Sequence, residues 1–218
     1  MADPNDWYDW HELYEEPGSQ LAQRLPVVQE RIRLALDEAP AGPLRLLSLV
    51  AGQGRDVLPV LAAHRRGRDV TARLVELDPR NTAVARQAAA ADNLSTVEVR
   101  TADAALIDEY LDLAPADVVL LCGLFGNITD EDIRHTIRHT ASLVRRGGTV
   151  IWTRHRDAPD LVPTIDDWFA AAGFERIWLS PAGLAFGVGA HRATADPRPP
   201  IPGTRLFTFV GRARLATN

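Results

Sequence analysis

From residue 44 onward, short apolar runs alternate with helix-patterned segments, and few folds accept such a chain. "LRLLSLVA", "VTARLVELD", "TVEVRTAD", "ADVVLLCGLF" and "TVIWTRH" read as five strands, and the fourth is nearly all apolar, as a strand buried on both faces should be. Strands with a helix between them pair in parallel through right-handed crossovers. The first intervening helix runs from Asp56, its expected N-cap, through Pro59 to Gly67. The second opens at Pro79. The clearest helix opens at Thr129, carries acids in its first turn and arginines in its last, and stops at Gly147. A further helix is expected behind a Thr164 cap. Beyond it, "ERIWLS", "AFGVGAH" and "RLFTFVGRA" read as strands with no helix between them, which implies an antiparallel hairpin on the sheet edge.

Residues 1–42 differ in character. Trp7, Tyr8, Trp10, His11 and Tyr14 crowd one acidic stretch, and a helix over 18–38 follows, with Leu21, Leu25, Val28, Ile32 and Leu36 at helical spacing. Gly42 and Pro43 then break the chain. The expected organisation is an N-terminal helical and aromatic lid over 1–42 and one α/β domain over 43–218.

Composition removes several chemistries. All 24 basic residues are arginine, so a lysine nucleophile, Schiff base or lysine base is excluded. Cys122 is the single cysteine, which excludes an internal disulfide and a cysteine metal cluster. The net charge of −5 argues against nucleic acid or an anionic membrane as partner. Neither a signal peptide nor a spanning segment is visible, so a cytoplasmic location is expected.

In an open parallel sheet, ligands bind beyond the carboxyl ends of the strands. After strand one, Ala51, Gly52, Gln53 and Gly54 form a turn that lets backbone approach a ligand, although a two-glycine turn is by itself often only a turn. After strand two stands Glu76, at the spacing where an acid grips a ribose hydroxyl pair, followed by Leu77; Asp78, directly before Pro79, suits the helix cap better. After strand three stands Asp103, suited either to an exocyclic amine or to a cap. A nicotinamide-dinucleotide fingerprint fits poorly, because Val57 stands where its third glycine belongs.

The order of these features resembles the class I S-adenosylmethionine-dependent methyltransferases. "LSLVAGQG" sits where that family has its glycine-rich loop, "LVELDP" its ribose acid, "TADA" its adenine-facing acid, and "LVRRGGTVIWT" its fifth strand. "DWFAAAGFERIWL" resembles its last helix and sixth strand. The resemblance implies a doubly wound, mostly parallel seven-stranded sheet with helices on both faces, and S-adenosylmethionine as cofactor with S-adenosylhomocysteine as product. It places Gly52 and Gly54 beside the methionine part, Glu76 at the ribose, Asp103 and Ala104 at the adenine, and Cys122 and Gly123 beneath the methionine moiety. Two positions depart from the family: Ser48 stands for its acid and Val50 for a glycine, which leaves Gln53 or the N-terminal segment to hold the cofactor's amino end.

The loop "CGLFGNITDED", with Asn127 as a catalytic candidate, lacks the Asn/Asp-Pro-Pro-aromatic motif of nucleobase and amide methyltransferases, so the resemblance points to a small-molecule acceptor at oxygen or nitrogen. His155, after strand five, has an ordinary pKa that suits a general base, and Arg154 and Arg156 beside it suit a substrate carboxylate or phosphate. Trp7, Tyr8, His11 and Tyr14 suit a lid over cofactor and substrate, or alternatively a surface packed on the sheet or on the second subunit of a homodimer. His191 is open between the pocket and an edge strand. His135 and His139 face away from the stripe of Ile133, Ile137 and Val144, so no metal is expected. The alternatives are another use of S-adenosylmethionine and a non-catalytic ligand-binding protein on the same fold.

Overall fold

The computed structural model describes residues 6–215. The strands β1 (Leu44–Leu49), β2 (Val70–Glu76), β3 (Val97–Thr101), β4 (Ala116–Leu121), β5 (Val144–His155), β6 (Phe174–Leu179) and β7 (Phe186–Ala193) form one sheet in the order β3-β2-β1-β4-β5-β7-β6. The first five are parallel, and β7 runs antiparallel to both β5 and β6. Strand order reverses between β1 and β4, the place where an open α/β sheet opens a crevice at its carboxyl edge.

The helices are α1 (Trp7–Trp10), α2 (Gln20–Glu38), α3 (Leu58–Ala63), α4 (Pro79–Ala91), α5 (Asp130–Leu143), α6 (Val162–Ala171) and α7 (Arg212–Leu215). They cover both faces of the sheet. One apolar layer joins Val28, Ile32 and Leu36 of α2 to Leu46, Leu74 and Val118. The other joins Ile133 and Ile137 of α5 and Phe169 of α6 to Leu47, Val119 and Trp152. Alternate residues of each strand feed opposite layers, which is why β1 and β4 read as continuous apolar runs.

Four local expectations are corrected. The helix after the glycine turn begins at Leu58, with Val57 as N-cap and no side-chain cap, so Asp56 is free to face the crevice. The helix opened by Thr129 ends at Leu143, and Arg145 and Arg146 belong to β5. The Val144–Ala116 pairing and the Arg145–Asp117 ion pair begin the strand at that point. Thr164 lies inside α6, whose first N–H, that of Val162, donates to Asp160 Oδ1 at 2.9 Å. The terminal hairpin is β6 and β7, while "RLFTFVGRA" joins no strand of the sheet.

That last segment is a strap. Ile107 N donates to Thr204 O at 3.0 Å, Leu206 N to Ala105 O at 2.7 Å, and Val210 N to Asn127 O at 2.8 Å. Alternation of apolar and polar residues makes it strand-like in sequence. Its polar groups nonetheless pair with loops beyond β3 and β4, across the mouth of the crevice.

Val50 takes φ +49°, the left-handed region that a β-branched residue rarely enters. The turn after β1 therefore keeps a backbone shape suited to glycine while a valine occupies it, at a strain of about 1–3 kcal/mol. Val50→Gly releases that strain and loses a partly buried side chain, so its stability is expected within about 1 kcal/mol of the parent. Val50→Ala keeps the strain and loses the packing, and is expected to be the less stable of the two. Urea denaturation of both variants measures the order, and the reverse order would refute the strain.

Candidate active site

Four strand ends build the first cavity. From β1 come Val50, Ala51, Gly52 and Gln53; from β2 Glu76 and Leu77; beyond β3 Asp103 and Ala104; and from β4 Cys122 and Gly123. Nine of the ten residues expected at the cofactor are thus brought together. Gly54 is the exception: it lies behind the turn, where an added Cβ would come within 2.8 Å of Leu58 and 3.0 Å of Leu74. Its φ of +71° and its N–H bond to Ala51 O at 2.9 Å shape the turn.

Glu76 is the hub. Its Oε2 accepts from Gly52 N at 2.9 Å and its Oε1 from Asp78 N at 2.9 Å. Each oxygen keeps lone pairs for hydroxyl donors from the cavity. Burial pushes its carboxyl above the usual range, offset by those two N–H bonds. Asp78 caps α4 through Arg80 N at 2.8 Å, as the Pro79 junction requires. Asp103 Oδ1 accepts from Ala105 N at 3.0 Å, and its Oδ2 pairs with Arg205 of the strap at 2.7 Å. The apolar surface near these acids comes from Leu77 and Ala104 and from Phe207 and Phe209 of the strap.

The cavity also carries charge that sequence reasoning missed. Arg24 of α2 and Asp56 both line it. Burial pushes Asp56 up to about 6. Arg24 shares a helix face with Leu21 and Val28, and a cation on that apolar stripe was the available signal. Ser48 is buried in β1 at 1% exposure and takes no part in the cavity wall. Gln53, expected with the N-terminal segment to hold the cofactor's amino end in place of the family's acid, spends its amide on Asn81 Oδ1 at 3.2 Å and Arg55 Nε at 3.0 Å. Arg24 and Asp56 are therefore the groups placed to meet a zwitterion. Asn81 also lines the cavity, and its buried Nδ2 has no partner among the described residues.

The N-terminal segment lies on this cavity. His11 Nδ1 bonds Trp7 O at 2.6 Å, and His11 Nε2 accepts from Gln53 N at 3.4 Å. Burial lowers the His11 pKa, which keeps the ring neutral and Nε2 an acceptor. Trp7, Trp10, His11 and Tyr14 all face inward, and Trp7 meets Phe209 of the strap edge to face at 5.1 Å. Tyr8 does not line the cavity: Arg80 stacks over its ring at 5.0 Å on the outside.

A second cavity, of about 600 Å³, adjoins the first; Trp7, Trp10, Arg24 and Gly123 line both. Its far wall holds Asn127, Thr153, Arg154, His155 and Arg212. An added Cβ at Gly123, φ +78°, would meet nothing within 4 Å, so the two spaces meet there over open backbone.

Three expectations change in this cavity. Asn127 serves the strap: Nδ2 donates to Gly123 O at 2.8 Å, Oδ1 accepts from Arg212 N at 3.1 Å, and its carbonyl holds Val210 and Gly211. Arg156 turns away to Asp160 and to the carbonyls of Phe186 and Ser180. His155 is not tuned as a base. Burial, then Arg154 and Arg212, push its pKa down to about 4, far from the working pH at which a base is efficient. Its Nδ1 accepts from Asp157 N at 3.3 Å, which places the neutral ring's proton on Nε2. A depressed pKa means that His155 stabilises the fold fully above about 6.5, and that this contribution fades as pH falls from there toward 4. Histidine NMR is expected to show His155 titrating near 4 as the Nε2–H tautomer; titration above 6 would reject this assignment. His191 is a core residue, bonded to Trp152 Nε1 at 3.1 Å and Asp166 Oδ1 at 2.9 Å.

The family model described as a methyltransferase domain matches residues 46–148, the stretch from β1 into β5 that builds the first cavity. A comparison with curated proteins finds no match. Among solved structures, the chain is similar to an O-methyltransferase family protein from Burkholderia thailandensis, at 21% identity and TM-score 0.62, over 80% of this chain and 56% of that one. It is also similar to magnesium protoporphyrin IX methyltransferase from Synechocystis PCC 6803 with bound S-adenosylmethionine. There the identity is 15% and the TM-score 0.66, over 87% of this chain and 92% of that one. The CurJ carbon methyltransferase is similar at 14% identity and TM-score 0.66, over 84% and 58%. The chain thus spans little more than half of two of these proteins. The family model covers a little under half of the chain, and what the chain shares with these solved structures is the class I S-adenosylmethionine-dependent methyltransferase fold. Among the described residues, no helix is long and apolar enough to cross a membrane.

Proposed function

We propose that this protein transfers a methyl group from S-adenosylmethionine to an oxygen or nitrogen of a small molecule. The observation that carries the reading is the meeting of two cavities at Gly123, one with the polar groups of a nucleoside and amino-acid site, the other apolar and cationic. The domain match and the S-adenosylmethionine-bound relative support the choice of cofactor.

The residues present fit that cofactor. Glu76 would hold the ribose hydroxyls, Asp103 and the surface of Leu77 and Phe209 the adenine, Arg24 the carboxylate and Asp56 the ammonium of the methionine end, all of them residues of the first cavity. A sulfonium supplies an electrophilic methyl, displaced in line. The chain aligns and encloses: Trp7 and Trp10, which line both cavities, and His11, which lines the first, exclude water, and Gly123 leaves room for the approach of the acceptor. Among the described residues, no group lining the second cavity is tuned to remove a proton, so an acceptor that arrives deprotonated, or a neutral amine, suits the site.

Calorimetric titration tests the reading. S-adenosylmethionine and S-adenosylhomocysteine are expected to bind, and no heat from either at about millimolar concentration would refute it. Arg24→Met is expected to weaken S-adenosylhomocysteine about tenfold and to leave methylthioadenosine, which lacks the amino-acid end, unchanged. Equal losses for both ligands would remove Arg24 from that role.

A further inference from the structure

Arg154 is an unusual cation for a protein with net charge −5. It is 9% exposed, on the wall of the second cavity, and no carboxylate among the described residues forms an ion pair with it. Asp130 and Asp160 act on it only from a distance. Among the described residues, its one hydrogen bond runs from Nη1 to Phe125 O, and its buried Nε has no partner. A buried guanidinium left in this condition is costly, and charges so placed ordinarily meet a counter-ion.

The neighbours of Arg154 sharpen the point. Arg212 is already neutralised by Asp157. Asp6 is the one acid lining this cavity among the described residues, and Arg80 takes both its oxygens, at 3.0 and 2.7 Å. His155 presents a donor: Nδ1 is occupied by Asp157 N, and the Cδ2–Nε2 edge lies against Gly126, with Cδ2 3.2 Å from a Cβ built there. Arg154 and the His155 Nε2–H therefore form a pair of donors with surplus positive charge, and among the described residues Phe125 O is the one acceptor they meet. Trp7, Trp10 and Phe186 give the same cavity flat apolar walls.

We propose that the acceptor is a small aryl or similarly flat molecule bearing an anionic group, carboxylate or phosphate, which Arg154 and His155 bind and orient toward the methyl group. This rests on the methyltransferase reading of the adjoining cavity. A guanidinium meets either anion through two parallel bonds, so it orients as well as attracts. A cavity of about 600 Å³ lies within the range of small-molecule sites.

The test uses the full chain loaded with S-adenosylhomocysteine. 4-Hydroxybenzoate and phenyl phosphate are titrated in, each against a neutral counterpart, 4-hydroxybenzamide and phenol. At least one anion is expected to bind about tenfold or more tightly than its counterpart, and the stronger of the two identifies the anion. In Arg154→Met that preference is expected to fall below about threefold while S-adenosylhomocysteine affinity stays unchanged, which also reports an intact fold. Equal binding of anion and neutral partner, no binding of either anion, or a preference retained in Arg154→Met would each overturn the proposal. Failure of S-adenosylhomocysteine itself to bind would instead strike the methyltransferase reading.

Discussion

Glu76→Ala is expected to raise the dissociation constant for S-adenosylhomocysteine at least about 100-fold while the protein stays folded. Two losses combine. A carboxylate that accepts from both ribose hydroxyls gives about 1.5–3 kcal/mol per charge-assisted bond, so removal of both costs about 3–6 kcal/mol. The second loss is internal: Glu76 holds Gly52 N and Asp78 N at 2.9 Å each, tying the glycine turn to the start of α4. Glu76→Gln keeps a single carbonyl acceptor and is expected to fall between the two. The carboxyl must be ionised to accept from both hydroxyls. Because burial raises its pKa, affinity is expected to be full above that raised value and to decline as pH falls through it. Calorimetry on the three proteins decides the matter, and a change below about threefold in Glu76→Ala would place the ribose elsewhere.

The parallel half of this fold was readable because its strands are buried on both faces. Leu44–Leu49 and Ala116–Leu121 need apolar residues at nearly every position, and the helices between them carry caps such as Thr129 and Asp78. Glu76 and Asp103 were readable for a related reason, since the end of a parallel strand faces the crevice whatever the tertiary detail. What escaped depends on contacts distant in sequence. Arg24 looks like one residue of an amphipathic helix until α2 is laid beside the β1 turn. Asp56 has the spacing of a helix cap, and only the short reach of α3, beginning at Leu58, frees it for the cavity. The strap is the largest departure: "RLFTFVGRA" alternates like a strand, but β7 already has neighbours on both edges, β5 and β6, and the segment pairs with the Ala105 and Asn127 loops instead. The two positions that break the glycine-loop pattern also separate. Val50 keeps the left-handed backbone with a strained side chain, whereas Ser48 is simply core.

Gly52→Ala is the second change expected to remove function, and it distinguishes a lid from mere covering. At φ +54° an alanine is strained by about 1–2 kcal/mol wherever the surroundings lie. Here its Cβ would also fall 2.3 Å from His11 Nε2. That ring is held by Trp7 O and Gln53 N, so it cannot retreat unless the segment bearing Trp7 and Trp10 moves with it. Turnover is expected to fall about 100-fold or more, and Trp7 and Trp10 are expected to become more accessible to a fluorescence quencher. His11→Ala removes the clash but not the backbone strain. If His11 seats the lid on the glycine turn, the double variant is expected to recover quencher protection relative to Gly52→Ala, with a coupling of at least about 1 kcal/mol between the two sites. Turnover in the double variant is expected to stay below that of His11→Ala alone, since the left-handed alanine remains. Strictly additive effects, with quenching unchanged by Gly52→Ala, would show that the segment rests on the turn without closing the site.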